Sequence, residues 1–334
     1  MNICTIVTRA LVSSVIAMGG ASALAQYPAT GLGRGYPEKP VRLVVPFPPG
    51  GAADIMARQV AQKLTDALGA QFIVDNRAGA GGAIGAEYVS RAAPDGYILL
   101  QSSSSFMSIN PHINARLQYD PLSSFASVIL IGHAPNVLAV HPSLPVKSVR
   151  DLIAIARARP DALSFASSGT GTILHLTGEW FMQRANIRML HVPYKGAAPA
   201  VIDTLAGQVT MLFAAYPSIA AQERAGKLKA LAVTSLTRLD IAPHLPTMAE
   251  AAALPGFESN QWWGISGPAG LPAAIVTRLN AELDRILRGA DIKQRFAVDG
   301  AEPDGGAPND FAVYLRNDHG KWGEVIKTAG IKGE

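Results

Sequence analysis

The sequence predicts an α/β fold with two lobes, each built on a mainly parallel sheet that is flanked by helices. Three observations support this prediction. Short β-branched segments alternate with amphipathic segments along the chain. A pattern of strand, glycine-rich loop and helix occurs twice, about 120 residues apart. After an N-terminal leader, about 300 residues remain, a length typical of two domains.

The predicted strands are short segments rich in valine, isoleucine, leucine and phenylalanine. They are residues 41–45, 72–74, 97–100, 128–131, 137–140, 163–166, 209–213 and 228–233. Parallel strands need a crossover connection, which is usually a helix. Helical patterns between several of these segments therefore favour parallel pairing.

The predicted helices have apolar residues on one face and a stop signal at the end. Apolar residues recur every four positions from Met56 to Leu68, and Gly69 follows as the stop. A second helix ends at Pro160, and a long late helix has its apolar face between residues 275 and 287.

Two glycine-rich loops each follow a predicted strand and open a predicted helix. The first glycine loop is residues 46–51 (PFPPGG), and the second is residues 167–172 (SSGTGT). Helix N-termini carry unpaired N–H groups and a partial positive charge, so an anion can approach a glycine-rich one directly. Two such loops, one in each lobe, predict an anion site in a shared cleft. For each loop, a tight turn without a ligand is the alternative.

The first 25 residues are typical of a secretory leader. One charged residue, Arg9, precedes the mostly apolar residues 10–21 and an A-x-A motif at 23–25. We expect cleavage before Gln26 and export of a soluble protein. A membrane anchor is the alternative, although the apolar run is shorter than the roughly 20 residues that span a bilayer. Cys4, the only cysteine, lies in the leader, which excludes thiol chemistry from the mature chain.

Charge and composition argue against a nucleic-acid partner. Loss of Arg9 with the leader lowers the formal net charge from +4 to +3, and charged residues make up only 16% of the chain. The basic residues are spread out and do not alternate with aromatic ones, so we expect no nucleic-acid binding.

Several enzyme motifs are absent. The P-loop pattern G-x-x-x-x-G-K-S/T does not occur. Residues 79–85 (GAGGAIG) resemble a dinucleotide loop, but the glycine spacing differs and Gln101 stands where an acid is expected. The G-x-S-x-G nucleophile motif fails twice, at Phe165 and at Pro268. The sequence therefore predicts no cofactor and no catalytic residue.

Histidines and tryptophans give no metal or stacking motif. The seven histidines lack the spacing of metal ligands, so we expect no metal. His175 follows the second glycine loop and is interpreted as a supporting side chain of that loop. Trp262 and Trp263 are expected to pack in the core. Asp54 lies in the first helical turn, where we expect it to cap N–H groups.

A set of short motifs, in a fixed order, resembles the extracytoplasmic receptors of tripartite tricarboxylate transporters, the Bug-type solute receptors. The likeness covers essentially the whole mature chain, and the ordered set is more specific than any one motif. The motifs are YPEKP (36–40), VPFPPGG (45–51), DNR (75–77) with GAGG (79–82), APDGY (93–97), HVPYKG (191–196), GKLKALAV (226–233), LPGF (254–257), WG (322–323) and AGI (329–331).

This resemblance implies a periplasmic, monomeric receptor whose lobes close on a carboxylate and pass it to the permease subunits of a tripartite tricarboxylate transporter. Residues 26–130 and 257–334 would form lobe 1, and residues 131–256 lobe 2. Backbone N–H groups of both glycine loops would hold the carboxylate, and residues 102–105 and 214–218 would line the far side. The predicted ligand-binding residues are Phe47, Pro49, Gly50, Gly51, Ala52, Ala53, Asp54, Ser102, Ser103, Ser168, Gly169, Thr170, Gly171, Thr172, Ile173, Ala214, Ala215 and Tyr216.

Two departures from the family pattern bear on the ligand. Ile173 and Leu174 stand where the family commonly has small polar residues, and Ala214 and Ala215 stand where it often has Asp-Asn. Loss of that acid removes a partner for a substrate ammonium group. We therefore expect an amine-free ligand with an apolar body, such as an aliphatic or aromatic dicarboxylate.

Two alternative functions stay open on the sequence. One is an exported hydrolase that uses Ser167 or Ser168, with His175 as its base. The other is a ligand sensor that has the same site but feeds a signalling partner.

Overall fold

A computed structural model describes residues 35–329, so the predicted leader lies outside the described residues. Ten strands lie within this range. They are β1 (Val41–Val45), β2 (Phe72–Asn76), β3 (Ile98–Ser103), β4 (Phe125–Val140), β5 (Ser164–Ser167), β6 (Leu190–Pro193), β7 (Met211–Ala215), β8 (Lys229–Val233), β9 (Asn260–Pro268) and β10 (Glu302–Gly305).

Eleven α-helices lie in the same range. They are α1 (Ala52–Leu68), α2 (Ala83–Ser90), α3 (Asn110–Ile113), α4 (Val149–Ala158), α5 (Ile173–Ala185), α6 (Ala197–Leu205), α7 (Ala220–Arg224), α8 (Met248–Ala252), α9 (Ala273–Arg288), α10 (Ala290–Asp299) and α11 (Pro308–Ala329). None of the helices between residues 35 and 329 is both long and apolar enough to cross a membrane.

The strands form two sheets that share β4. In the first, which we call sheet A, β1 lies between β2 and β3 and is parallel to both. Strand β9 is antiparallel to β3 and to the first part of β4, which also pairs with β10. In the second, sheet B, β5 is parallel to β6 and β7, and the last part of β4 is antiparallel to β7 and β8.

Strand β4 connects the two sheets because its partner changes along its length. Residues 125–135 pair with β9 in sheet A, and residues 136–140 pair with β7 in sheet B. The predicted change of lobe between residues 130 and 131 falls inside this continuous strand. The lobe limits therefore stay a prediction.

The predicted strands correspond to β1–β5, β7 and β8, and two of them, 128–131 and 137–140, are parts of β4. Residues 132–136 (GHAPN) have the composition of a turn, yet Pro135 lies in the strand opposite Asn260. Parallel pairing is confirmed for β1–β3 and β5–β7. The pairs made by β9, β10 and β8 are antiparallel, and of these only β8 was predicted as a strand.

Each sheet is covered by apolar helix faces. The first predicted helix ends at Gly69, which has the left-handed conformation of a C-cap. The buried face of α9 contains Ile275, Leu279 and Leu283, as its periodicity predicts. Trp262 and Trp263 are fully buried, which confirms their interpretation as core residues.

Candidate functional site

Both glycine loops open onto one small cavity between the sheets. Its volume is about 30 Å³, enough for one or two water molecules. Sheet A contributes the N terminus of α1 and one residue of β9, and sheet B contributes the N termini of α5 and α6 and the end of β7. The lining residues are Phe47, Pro48, Gly51, Ala52, Ala53, Ser168, Leu174, Ala197, Ala215, Ser218 and Gln261.

The carboxylate of Asp54 fixes the first glycine loop through hydrogen bonds. Its carboxylate accepts the N–H of Gly50 at 3.0 Å and hydrogen bonds from the side chains of Arg58 and Asn76, each at 2.9 Å. Gly50 has φ +86°, a conformation that favours glycine. Burial alone would raise the pKa of Asp54, but these hydrogen bonds outweigh it and hold the pKa below its usual range. Asp54 therefore accepts an N–H of the loop and none of the helix, so its predicted role as a cap of the helix stays a prediction.

This arrangement leaves N–H groups of α1 available at the cavity. The helix begins after Gly51, which has no side chain to cap it. The N–H of Ala52 donates to the hydroxyl of Ser218 at 3.0 Å. Within residues 35–329, the N–H groups of Gly51 and Ala53 have no hydrogen-bond acceptor. An anion in the cavity can therefore accept them.

The second glycine loop is held by a network of its own side chains. Thr172 caps α5: its hydroxyl accepts the N–H of His175 and donates to the carbonyl of Gly169 at 2.7 Å. Ser168 in turn donates to the Thr172 hydroxyl at 2.9 Å. Three N–H groups of this region, those of Ser168, Thr170 and Leu174, have no acceptor in the described part of the chain. Ser168 and Leu174 line the cavity.

The electrostatics of the cavity favour a carboxylate without a cationic group. Two helices of 17 and 13 residues direct their positive ends at it. Among the residues that the structure describes, no charged side chain lines the cavity. An ammonium group there would lose its hydration without gaining a carboxylate partner. The side chains of Leu174, Ala197 and Ala215 offer apolar contact instead.

The cavity brings together six of the predicted ligand-binding residues. They are Phe47, Gly51, Ala52, Ala53, Ser168 and Ala215. A neighbouring, more open cavity of about 240 Å³ shares Phe47 and Ser168 with the first and is also lined by two further predicted residues, Gly169 and Thr170.

The other ten predicted residues line neither cavity. Ser102 donates to Ser266 at 2.8 Å, and the hydroxyl of Tyr216 donates to Glu223 at 3.3 Å. Ile173 and Ala214 are fully buried in hydrophobic core clusters. The ten are Pro49, Gly50, Asp54, Ser102, Ser103, Gly171, Thr172, Ile173, Ala214 and Tyr216.

Two lining residues come from segments that carried no sequence signal. Ala197 begins α6, directly after the HVPYKG motif, and Gln261 lies in β9, next to the two tryptophans. Gln261 is 8% exposed, and its amide has no hydrogen-bond partner among residues 35–329. No local pattern in the sequence marks either residue. Of the other lining residues, Pro48 lies in the first glycine loop, Ser218 lies in the segment 214–218 that was expected to line the far side, and Leu174 directly follows the predicted Ile173.

The serine–histidine contacts do not form a hydrolase site. Ser167 lies 2.7 Å from Nε2 of His191, but it is fully buried and lines neither cavity. Ser168, which does line the cavity, donates to Thr172. Nδ1 of His175 accepts the N–H of Gly171 and so supports the loop, as predicted. No group of three or more metal-ligating side chains occurs in the described range.

Comparison with known families agrees with this geometry. A family model described as the tripartite tricarboxylate transporter family receptor matches residues 56–331. A UPF0065 protein from the tcbD–tcbE intergenic region of Pseudomonas sp. strain P51 is 39% identical over 291 residues, covering 87% of this chain and 86% of its own. Protein BugT of Bordetella pertussis is 36% identical and covers 89% of this chain and 91% of its own.

Solved structures share the fold at similar identity. The R. palustris protein Rpa4515, solved with adipate, has a TM-score of 0.88 at 38% identity and covers 90% of this chain and all of its own. The periplasmic binding protein BugD has a TM-score of 0.86 at 34% identity, with the same coverage. MatC of Rhodopseudomonas palustris, solved with malate, has a TM-score of 0.83 at 29% identity and covers 87% of this chain and all of its own. The periplasmic-binding-protein fold predicted from the sequence is confirmed. The chain belongs to the tripartite tricarboxylate transporter receptor family, which consists of solute-binding receptors and not of enzymes.

Proposed function

We propose that this protein is a periplasmic receptor that captures a small carboxylate and delivers it to the permease of a tripartite tricarboxylate-type transporter. One observation carries the proposal: the N termini of α1 and α5 face the same cavity and leave N–H groups there without acceptors. Such groups bind a carboxylate without an arginine and avoid part of the penalty of burying a second charge.

The ligand we propose is a dicarboxylate or an aromatic carboxylate without an amino group. Leu174, Ala197 and Ala215 give the cavity its apolar part, and the lining residues include no acid that could bind an ammonium group. Two related proteins, Rpa4515 and MatC, were solved with adipate and with malate, which are amine-free dicarboxylates. Gln261 supplies one neutral polar group for the end of the ligand away from the helices.

Entry of such a ligand requires the walls of the cavity to separate. A volume of about 30 Å³ holds water but not a dicarboxylate. We propose that sheets A and B move apart around β4, that the protein acts as a monomer, and that the leader is cleaved before Gln26 on export. Delivery to a permease, instead of to a signalling partner, is proposed from the family's description as transporter receptors.

Matched pairs of ligands test the proposal. Calorimetry on the protein from Gln26 to Glu334 would compare malate with aspartate, and adipate with 2-aminoadipate, because each pair differs mainly by an ammonium group. We expect the amine-free member to bind at least about tenfold more tightly, since the ammonium would be buried without a partner. Tighter binding of aspartate or 2-aminoadipate would contradict the proposed ligand class. No binding of any carboxylate would contradict the proposed function.

A further inference from the structure

Two buried hydrogen-bond donors without acceptors lie together in sheet A. Nε1 of Trp263, in β9, has no partner within residues 35–329, although the side chain is fully buried. The hydroxyl of Ser103, the last residue of β3, is as deeply buried and also has no partner in that range. Buried indole and hydroxyl groups usually form a hydrogen bond, because an unpaired one has lost its hydration without compensation. Two unpaired donors in one place are typical of a site that another molecule completes.

Trp263 and Ser103 are directly opposite each other. They are partners in the antiparallel pairing of β9 with β3, so their side chains lie on the same face of the sheet, with Cβ atoms about 5 Å apart. Gln101 precedes Ser103 by two residues and shares that face, and its Nε2 donates to the carbonyl of Ala53 at 2.8 Å. The unpaired donors therefore lie on the face of sheet A that the N terminus of α1 covers.

The two adjacent tryptophans of β9 have different surroundings. Successive side chains of a strand alternate between faces, and Trp262 points to the face of α11, where its Nε1 donates to Asp318 at 2.7 Å. Trp263 shares the other face with Gln261, which lines the cavity. The indole N–H of Trp262 is therefore satisfied within the protein, whereas that of Trp263 is unpaired on the cavity side of the sheet.

Ser103 ends a strand that lies between two contributors to the cavity wall. Strand β3 pairs with β1 on one side and with β9 on the other. Phe47, which follows β1, and Gln261 of β9 both line the cavity. Val44 is paired with Leu100, so Phe47 and Ser103 are each three residues further along the chain. The cavity has to enlarge beyond about 30 Å³ to hold a dicarboxylate, and an enlargement along this edge of the sheet would reach the two donors.

The chemistry of the two donors favours an acceptor with two oxygens. An indole N–H can only donate, and a serine hydroxyl can donate at the same time. A carboxylate accepts both hydrogen bonds, and its charge makes each of them stronger. A methyl or phenyl end would leave the indole N–H unpaired, and an ammonium group would place donor against donor.

We propose that Trp263 is a specificity-determining residue: its indole N–H, together with the hydroxyl of Ser103, donates to a second carboxylate of the ligand. This inference rests on the proposed function, because it assumes that the first carboxylate binds at the N termini of α1 and α5. It adds that the receptor distinguishes a dicarboxylate from a monocarboxylate of the same length through two neutral donors of sheet A.

The first test is calorimetry on the protein from Gln26 to Glu334 with two ligand pairs, adipate with hexanoate and terephthalate with 4-methylbenzoate. Each pair exchanges one carboxylate for a methyl group. In wild type the dicarboxylate should bind at least about tenfold more tightly. Trp263→Phe keeps an aromatic ring but removes the N–H, so it should lose most of this ratio and bind the monocarboxylate nearly as wild type does. Ser103→Ala should also reduce the ratio.

Trp180→Phe, at a tryptophan that lines neither cavity, is the matched control and should keep the wild-type ratio. A ratio in Trp263→Phe equal to that of wild type would overturn the inference. Equal binding of both members of each pair by wild type would overturn it as well, and would leave the proposed function intact.

The second test uses wild type alone and so does not depend on the folding of a variant. The ligand is adipate or terephthalate, whichever binds more tightly. In NMR spectra the indole N–H signal of Trp263 should move downfield as the dicarboxylate binds and move much less with its methyl counterpart. The signal of Trp262, which is bonded to Asp318, should stay in place. Dicarboxylate binding without movement of the Trp263 signal would overturn the inference and leave the proposed function intact. If none of the four carboxylates binds, the proposed function is contradicted, and with it the inference that rests on it.

Discussion

The backbone N–H of Ala52 donates to the hydroxyl of Ser218 at 3.0 Å and so joins the N terminus of α1, next to sheet A, to the segment after β7 of sheet B. A reciprocal bond runs from the N–H of Ile173, at the start of α5, to the hydroxyl of Ser105, directly after β3. The N termini of α1 and α5 therefore each bond to a serine that follows a strand of the opposite sheet. We infer that these two bonds help to hold the cavity closed.

Ser218→Ala should weaken the closed form. One neutral hydrogen bond contributes about 1 kcal/mol net, so we expect roughly fivefold weaker carboxylate binding. The change should appear mainly as faster dissociation, because the bond forms when the sheets have closed. Stopped-flow kinetics with adipate would measure this rate. Ser123→Ala, at an exposed serine, is the control. A dissociation rate equal to that of wild type would show that the bond does not hold the cavity closed.

Gly51→Asp should abolish carboxylate binding. Gly51 has ordinary extended backbone angles, and a Cβ there would lie 3.7 Å from the Cβ of Ala197, so a side chain fits. An aspartate would place a negative charge beside the N–H groups that have no acceptor and are proposed to bind the carboxylate. We therefore expect an affinity loss of at least about tenfold. Thermal-shift titration with adipate would measure it, with Gly51→Ala as the control for volume. A full shift in Gly51→Asp would remove the first glycine loop from the site.

The sequence predicts the parts of the site that have a local signal. A strand, a glycine-rich loop and a helix in succession identify both helix N termini. Glycine and serine before a helix are local signals, so they can be recognised without knowledge of the tertiary structure. Gln261 and Ala197 reach the cavity only because β9 and α6 are brought there by the tertiary fold. No local pattern marks them. In strand β7, successive side chains point to opposite faces, and Ala215 lines the cavity whereas Ala214 does not.

The same dependence on local signals explains which strands and helices the sequence predicts. Strand β1 and helix α1 have strong periodicity and were predicted to within a few residues. Strand β4 was predicted as two segments because Pro135 interrupts the apolar pattern. In the folded protein the strand continues through this proline. Strand β10, with the sequence EPDG, has turn composition and is a strand only through its pairing with β4. Strand β10 can therefore be identified only when its pairing with β4 is known.

Gln261→Glu should weaken binding of a dicarboxylate. Gln261 is buried in the cavity wall, and its amide can donate to the ligand, whereas a carboxylate would repel it. We expect an affinity loss of about tenfold or more. Gln261→Leu should lose less, because it removes the hydrogen bond without adding a charge. Calorimetry with adipate would rank the three proteins. Gln208→Glu, at an exposed glutamine, is the charge control. Equal affinity in Gln261→Glu and wild type would exclude Gln261 from ligand contact.

Asp54→Asn should destabilise the first glycine loop. The substitution replaces one acceptor oxygen by a donor in a buried network, which costs about 1–3 kcal/mol of unfolding free energy. The depressed pKa of Asp54 means that its contribution is present above the usual carboxyl range and is lost as the pH falls through the folded-state pKa. The difference between wild type and variant in urea denaturation should therefore shrink at acid pH. Asp66→Asn, at an exposed acid of the same helix, is the control. A difference that does not change with pH would contradict this role.

His191 should make the stability of the protein fall as the pH drops below neutral. Burial, and then the neighbouring His175, lower the pKa of His191 to about 3, so between pH 3 and the ordinary imidazole range the unfolded chain binds more protons than the folded one. The stabilisation is complete above the ordinary imidazole pKa and decreases toward pH 3, by about 1 kcal/mol between pH 6.5 and pH 5.5. His191→Gln can keep a hydrogen bond to Ser167 without titrating, so its unfolding free energy should change less over that range. Urea denaturation at pH 6.5 and pH 5.5 would compare the two, with His244→Gln as the exposed control. A loss of stability in His191→Gln as large as that in wild type would assign the pH dependence to other groups.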